Sequence, residues 1–115
     1  MKPGISKITL GVNDLEKSIK FYHEGLGFPK MESSPEVAFF TLNGSWLSLY
    51  GREPLTEDAA VSSDGSRFNG FALAHNVGLA IEIYQSIEQA STAGAILSEA
   101  GQKSWGGYSG YFNDP

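Results

Sequence analysis

Three groups of side chains have the types and spacing to do chemistry. In KITLGV, Lys7, Thr9 and Gly11 alternate with Ile8, Leu10 and Val12, so an extended segment puts the two sets on opposite faces. The apolar set can bury against a following helix. The other set, one ammonium beside two small residues, suits a cavity wall, where Lys7 could make a charge-assisted bond to an anionic group. A lysine at a strand end can equally snorkel to solvent, and the residues leave both readings open. In SWLSLY, Trp46, Ser48 and Tyr50 share a face opposite Leu47 and Leu49. That face can line a ligand pocket, or it can be ordinary core with one tolerated serine. Near the end, KSWGGYSGYFN carries Trp105, Tyr108 and Tyr111, aromatics suited to stacking on flat or sugar-like ligands. Histidine offers less. His23 falls off the apolar stripe of its helix and reads as solvated, and neither His23 nor His75 has a serine placed beside it by sequence. With no cysteine there is no thiolate nucleophile and no disulfide framework. No catalytic residue is assignable from these types.

The elements that must position these groups begin with one strand, one tight turn and one amphipathic helix over Ile5–Phe28. Asn13 closes the strand and can cap the helix, with Glu16 completing a capping-box-like pair. Leu15, Ile19, Tyr22 and Leu26 recur at helical spacing as the buried stripe. Gly25 and Gly27 supply a positive-φ stop, and Pro29 prevents resumption. Phe28–Met31 is a weak strand and Glu36–Leu42 a strong one. Asn43-Gly44 signals a type I′ hairpin into Ser45–Tyr50. Gly51–Arg67 is polar and acidic without periodicity, and it reads as a linker or a flap. The opening pattern then returns: Gly70–Asn76 matches Lys7–Asn13 at a constant offset, with Phe71, Leu73 and His75 on the helix-facing side. A second helix within Ile81–Thr92 has the stripe Tyr84, Ile87 and Ala90 or Ser91, and Gly94 ends it. Ala95–Ser98 and Lys103–Asn113 read as strands. The order is β-α-β-β-β twice, one strand short in the second copy. Module one spans about 5–50, the linker 51–67 and module two about 68–115 of a single 1–115 domain.

Size and charge exclude several classes. A chain of 115 residues with 41% hydrophobic content fits one globular domain with a real core. Eight basic and thirteen acidic residues give a net charge of -5, without a basic cluster, so nucleic acid and anionic membrane surfaces are poor partners. No apolar run approaches the roughly 20 residues a spanning helix needs. MKPGISK lacks the apolar core of a signal peptide, and a cytoplasmic location is expected.

The run Val12–Phe28, with FALAHNV and the closing GYFNDP, resembles the vicinal oxygen chelate superfamily of glyoxalase I, bleomycin-resistance proteins and extradiol dioxygenases. The resemblance covers nearly the whole chain. It implies an α+β fold in which paired βαβββ modules form a curved mixed sheet around a cavity, commonly as a homodimer. It also implies a divalent metal chelated by substrate oxygens. The positions it assigns to metal ligands fall on Lys7, Ser48 and Gly70, with a fourth beyond Pro115. None is a standard ligand, since an ammonium has no lone pair, a serine is a poor neutral ligand and glycine has no side chain. In relatives an Asp-Pro-Asp-Gly turn leads into a last strand, whereas here Asp114-Pro115 closes the sequence. A missing strand would leave backbone groups open to a second chain.

The expectation is therefore a small-molecule-binding protein without the usual metal site and with no cofactor. Its ligand would meet Lys7, Thr9, Trp46, Ser48, Tyr50, Trp105, Tyr108 and Tyr111. A metal-dependent glyoxalase-like lyase or dioxygenase is the alternative, and an interaction domain without a ligand the second. Elemental analysis separates the first two.

Overall fold

β1 (Lys7–Val12) runs from an exposed Lys7 through four half-buried residues to a buried Val12. A computed structural model of the chain describes residues 2–62, 64–65, 73, 75–97, 101–102 and 108–115, with backbone only at 97, 101–102 and 108–109. Two compact units result, Met1–Asp64 and Gly65–Pro115.

In the first unit, β1 leads into α1 (Leu15–Ile19), which continues as a π-helical turn over Lys20–Gly25. The cap is Asp14 rather than the expected Asn13–Glu16 pair. Asp14 has extended backbone, and its carboxylate accepts the Lys17 N–H at 3.1 Å. An ionised acceptor suits the positive helix end better than the neutral amide one residue earlier. The π turn also changes the buried face. Leu26 N–H reaches back five residues to the Phe21 carbonyl at 2.9 Å, and this wider turn swings Phe21 inward. Ser18, Phe21 and Tyr22 are the buried residues, while Leu15, Ile19 and Leu26 are half-buried flanks. The expected stripe is thus rotated, and only its Tyr22 is fully buried. Of the two expected stop residues, Gly27 alone has positive φ (76°), because Gly25 lies inside the turn.

The sheet runs β1-β3-β2, with β2 (Val37–Thr41) antiparallel and β1 parallel to the central β3 (Trp46–Gly51). Phe28–Met31 does not form the expected strand. It makes one bridge, Lys30 to Phe40, since Pro29 has no N–H to extend a ladder. The turn at Asn43-Gly44 joins β2 to β3, but it is not type I′: Gly44 has φ 91°, and Ala60 is the only described non-glycine with positive φ. Register places Ile8, Leu47 and Phe40 in one row and Leu10, Leu49 and Ala38 in the next. This apolar face packs against the helix, with Tyr22 and Phe40 ring centroids 6.2 Å apart and Phe28 and Phe40 6.3 Å apart. Phe40, Leu49 and Ala38 are fully buried there and form the centre of the core.

Part of the expected 51–67 linker is a helix, α2 (Arg52–Ala59), closed by Ala60 in the left-handed region. Its polar sequence REPLTEDA hides it from periodicity, for Leu55 is its one large apolar residue. Pro54 is tolerated in the first turn, where no N–H partner is needed.

In the second unit, α3 (Ala80–Thr92) begins one residue before the expected bound and ends at the expected one, followed by Gly94 with φ 107°. Ala90 is buried and Ile83 and Ile87 are half-buried, but Tyr84, expected in the stripe, is exposed. A stripe through positions 83, 87 and 90 leaves position 84 on the flank. β4 (Ile96–Leu97) pairs antiparallel with β7 (Phe112–Asn113), and β5 (Gly101–Gln102) with β6 (Tyr108–Ser109). The expected 103–113 strand therefore breaks at Gly110 and Tyr111, a glycine-laced stretch unsuited to a continuous ladder. Of the expected strand at 70–76, Leu73, His75 and Asn76 lie outside any strand, and His75 is exposed rather than helix-facing. Residues 70–72 and 74 lie outside the described residues, as does Trp105. Among the described residues no helix is long and apolar enough to cross a membrane.

Candidate functional site

The face of the first unit's sheet turned away from the helix is built from three cross-strand rows. Register aligns Lys7, Trp46 and Thr41, then Thr9, Ser48 and Phe39, then Gly11, Tyr50 and Val37. Alternation within each strand makes this the face opposite the apolar core. Five of the expected site residues, Lys7, Thr9, Trp46, Ser48 and Tyr50, come together here.

Each row has its own chemistry. In the first, the Lys7 Nζ stands 5.0 Å from the centroid of the Phe39 ring, which reaches it from the second row. That is within the range at which a ring quadrupole attracts a cation. The Phe39 and Trp46 centroids are 6.3 Å apart at an interplanar angle of 57°, so two aromatic surfaces adjoin beside the ammonium. Trp46 is 41% exposed and presents its surface outward. In the second row, Ser48 is 1% exposed, and its hydroxyl donates to Thr9 Oγ1 at 3.1 Å. Having accepted that bond, Thr9 keeps its own hydroxyl proton to donate. The third row is partly covered. A Cβ on Gly11 would lie 3.0 Å from Leu55 Cδ2 and 3.4 Å from the Arg52 Cα, which places α2 over this end of the face. Glycine is what lets the helix approach so closely.

Phe39 is the residue that sequence reasoning did not single out. The signal was available: pairing β2 to β3 through the Asn43-Gly44 turn sets Phe39 opposite Ser48 and Phe40 opposite Leu47. Of the aromatics in the second unit, Tyr108 lies in β6, Tyr111 is 63% exposed just before β7, and Trp105 is outside the described residues. His23 is exposed on the π turn, with Nδ1 2.7 Å from the Phe28 carbonyl, which makes it a local brace for the helix end.

The donor set can be tested against a divalent metal. Lys7 turns a cation toward Phe39, and the Ser48 proton is committed to Thr9. An ammonium has no lone pair, a buried neutral serine hydroxyl is a weak ligand for a divalent ion, and Gly70, which has no side chain, lies outside the described residues. Among the described residues no three His, Asp or Glu side chains are grouped to hold an ion. The residues at the implied ligand positions do not fit the group.

A strand-helix-strand unit with one helix-covered face and one small, aromatic, polar face is the frame of a glyoxalase-type module. A sequence model of the Glyoxalase/Bleomycin resistance protein/Dioxygenase superfamily matches residues 4–115, and the chain belongs to that superfamily. Its fold matches a glyoxalase-related enzyme from Fulvimarina pelagi with a TM-score of 0.89 and 37% identity, over 100% of this chain and 82% of that one. A glyoxalase/bleomycin resistance protein/dioxygenase from Nocardioides matches with a TM-score of 0.81 and 25% identity, over 100% and 78%. Among curated proteins, metallothiol transferase FosB of Staphylococcus haemolyticus is 43% identical over 49 residues, 43% of this chain. That match spans 35% of the relative, about a third of its length.

Proposed function

We propose that this member of the superfamily binds a small molecule on the face of its first unit's sheet turned away from α1, without a metal held by Lys7 and Ser48. The observation that carries the reading is the convergence of an ammonium, a spare hydroxyl proton and two aromatic rings on one face. A face committed only to packing would carry larger aliphatic residues at Thr9 and Ser48. The nine residues of the three rows include no carboxylate or imidazole, and the chemistry proposed for them is binding and orientation. A cytoplasmic homodimer is part of the same proposal.

The similarity to metallothiol transferase FosB favours a second reading, a metal-dependent transferase, lyase or dioxygenase whose ligands lie elsewhere than Lys7 and Ser48. Elemental analysis and thermal shift on chelator-stripped protein reloaded with nickel, zinc, manganese or iron separate the two. The binding reading expects no stoichiometric metal and no shift. A stoichiometric metal whose stabilisation grows with its concentration would move the assignment to the second reading.

A further inference from the structure

Resting on the small-molecule reading, we infer that the ligand is a single-ring or similarly small molecule bearing an anionic oxygen group, a carboxylate or phosphate, held by Lys7 against the Phe39–Trp46 surface. Charge comes first. Among the described residues Lys7 makes no ion pair; its ammonium lies 5.0 Å from the centroid of the Phe39 ring. A ring quadrupole offsets only part of an ammonium's charge and leaves its N–H donors open to a stronger acceptor. Thr9, in the adjoining row, adds a neutral donor from the same face. No acidic side chain stands in the three rows, so nothing built into the face competes for these donors. An anionic oxygen group supplies the missing acceptor.

Size follows from the rows. α2 covers the third row at Gly11 and Ser48 is buried in the second, so the accessible surface is Lys7 and Trp46 with the half-buried Thr9 and Phe39 beside them. Adjacent rows on a strand are about 7 Å apart, and three strands span roughly 10 Å. This area suits one aromatic ring with a short substituent. Trp46 and Phe39 supply an apolar surface beside the charge, which favours a flat, unsaturated body over a sugar.

The test uses chelator-treated, full-length protein and calorimetric titration with benzoate, phenyl phosphate, inorganic phosphate and neutral benzamide. Benzoate or phenyl phosphate is expected to bind at least about tenfold more tightly than benzamide and than inorganic phosphate. Lys7→Met should weaken the aromatic anion by about tenfold to a hundredfold, the usual worth of a hydrogen bond to a charged group. Lys7→Arg, which keeps the charge, and the surface control Lys20→Met should stay within about threefold. Melting temperatures report whether each variant is folded. Equal binding of benzamide and benzoate, or no effect of Lys7→Met in a folded variant, overturns the anion inference and leaves the small-molecule reading standing. Inorganic phosphate binding as tightly as phenyl phosphate overturns the aromatic half. Binding that appears only after metal is restored overturns both the inference and the metal-free reading. If no probe of either charge binds, the inference and the reading fall together.

Discussion

Ser48 and Thr9 show how a polar pair is kept in the middle of a sheet. Ser48 is buried, yet its hydroxyl is satisfied across the strands, so the cost of desolvation is offset locally. A double-mutant cycle of Thr9→Val and Ser48→Ala, followed by urea unfolding, should return a coupling of about 0.5–1.5 kcal/mol. Phe40, one residue from Phe39 but on the other face, is fully buried against Tyr22 and Phe28. Phe40→Ala should cost about 3–5 kcal/mol in the same measurement, because the surrounding rings cannot collapse into the space. Phe39→Ala should cost much less stability and instead weaken ligand binding. The contrast between these neighbours is written in strand alternation. What alternation alone left open was which of the two phenylalanines faces the core, since both residues are apolar; the register with β3 decides it.

At the scale of elements, α1 and α2 differ in how plainly the sequence states them. A capping signal at Asn13 and helical apolar spacing announce α1, although the cap is Asp14 and the π turn shifts the buried face to Ser18, Phe21 and Tyr22. A change of hydrogen-bond step from four to five leaves no mark in composition. Asp14→Ala should cost about 0.5–2 kcal/mol, read from urea unfolding, because the Lys17 N–H loses its acceptor. α2 has no buried residue and no apolar stripe, so its position depends on Leu55 meeting Gly11. Gly11→Ala puts a methyl 3.0 Å from Leu55 Cδ2 and should lift α2, raising amide exchange in Arg52–Ala59 while β3 stays protected. Adding Leu55→Ala should restore the docking by making room for that methyl.

For the whole molecule, the slowest-exchanging amides are expected in β3, the central strand, paired on both sides and buried at Leu47, Ser48 and Leu49. Exchange measured over hours checks this, and faster exchange in β3 than in α2 would contradict the packing. The sequence by itself determined the superfamily, the α+β class and the grouping of Lys7 with Thr9 and of Trp46 with Ser48 and Tyr50. The superfamily rests on the resemblance carried by Val12–Phe28 and the closing GYFNDP, and the rest follows from local signals: strand alternation, helical spacing and glycines at turns. Only the tertiary structure decided that the two groups share a face, that Phe39 joins them beneath the Lys7 ammonium and that α2 covers the Gly11 end. Those facts depend on strand register and on a packing contact between residues far apart in the chain. Neither is fixed by the pattern of any one segment, because the side-chain period of a strand sets its two faces but not its neighbours.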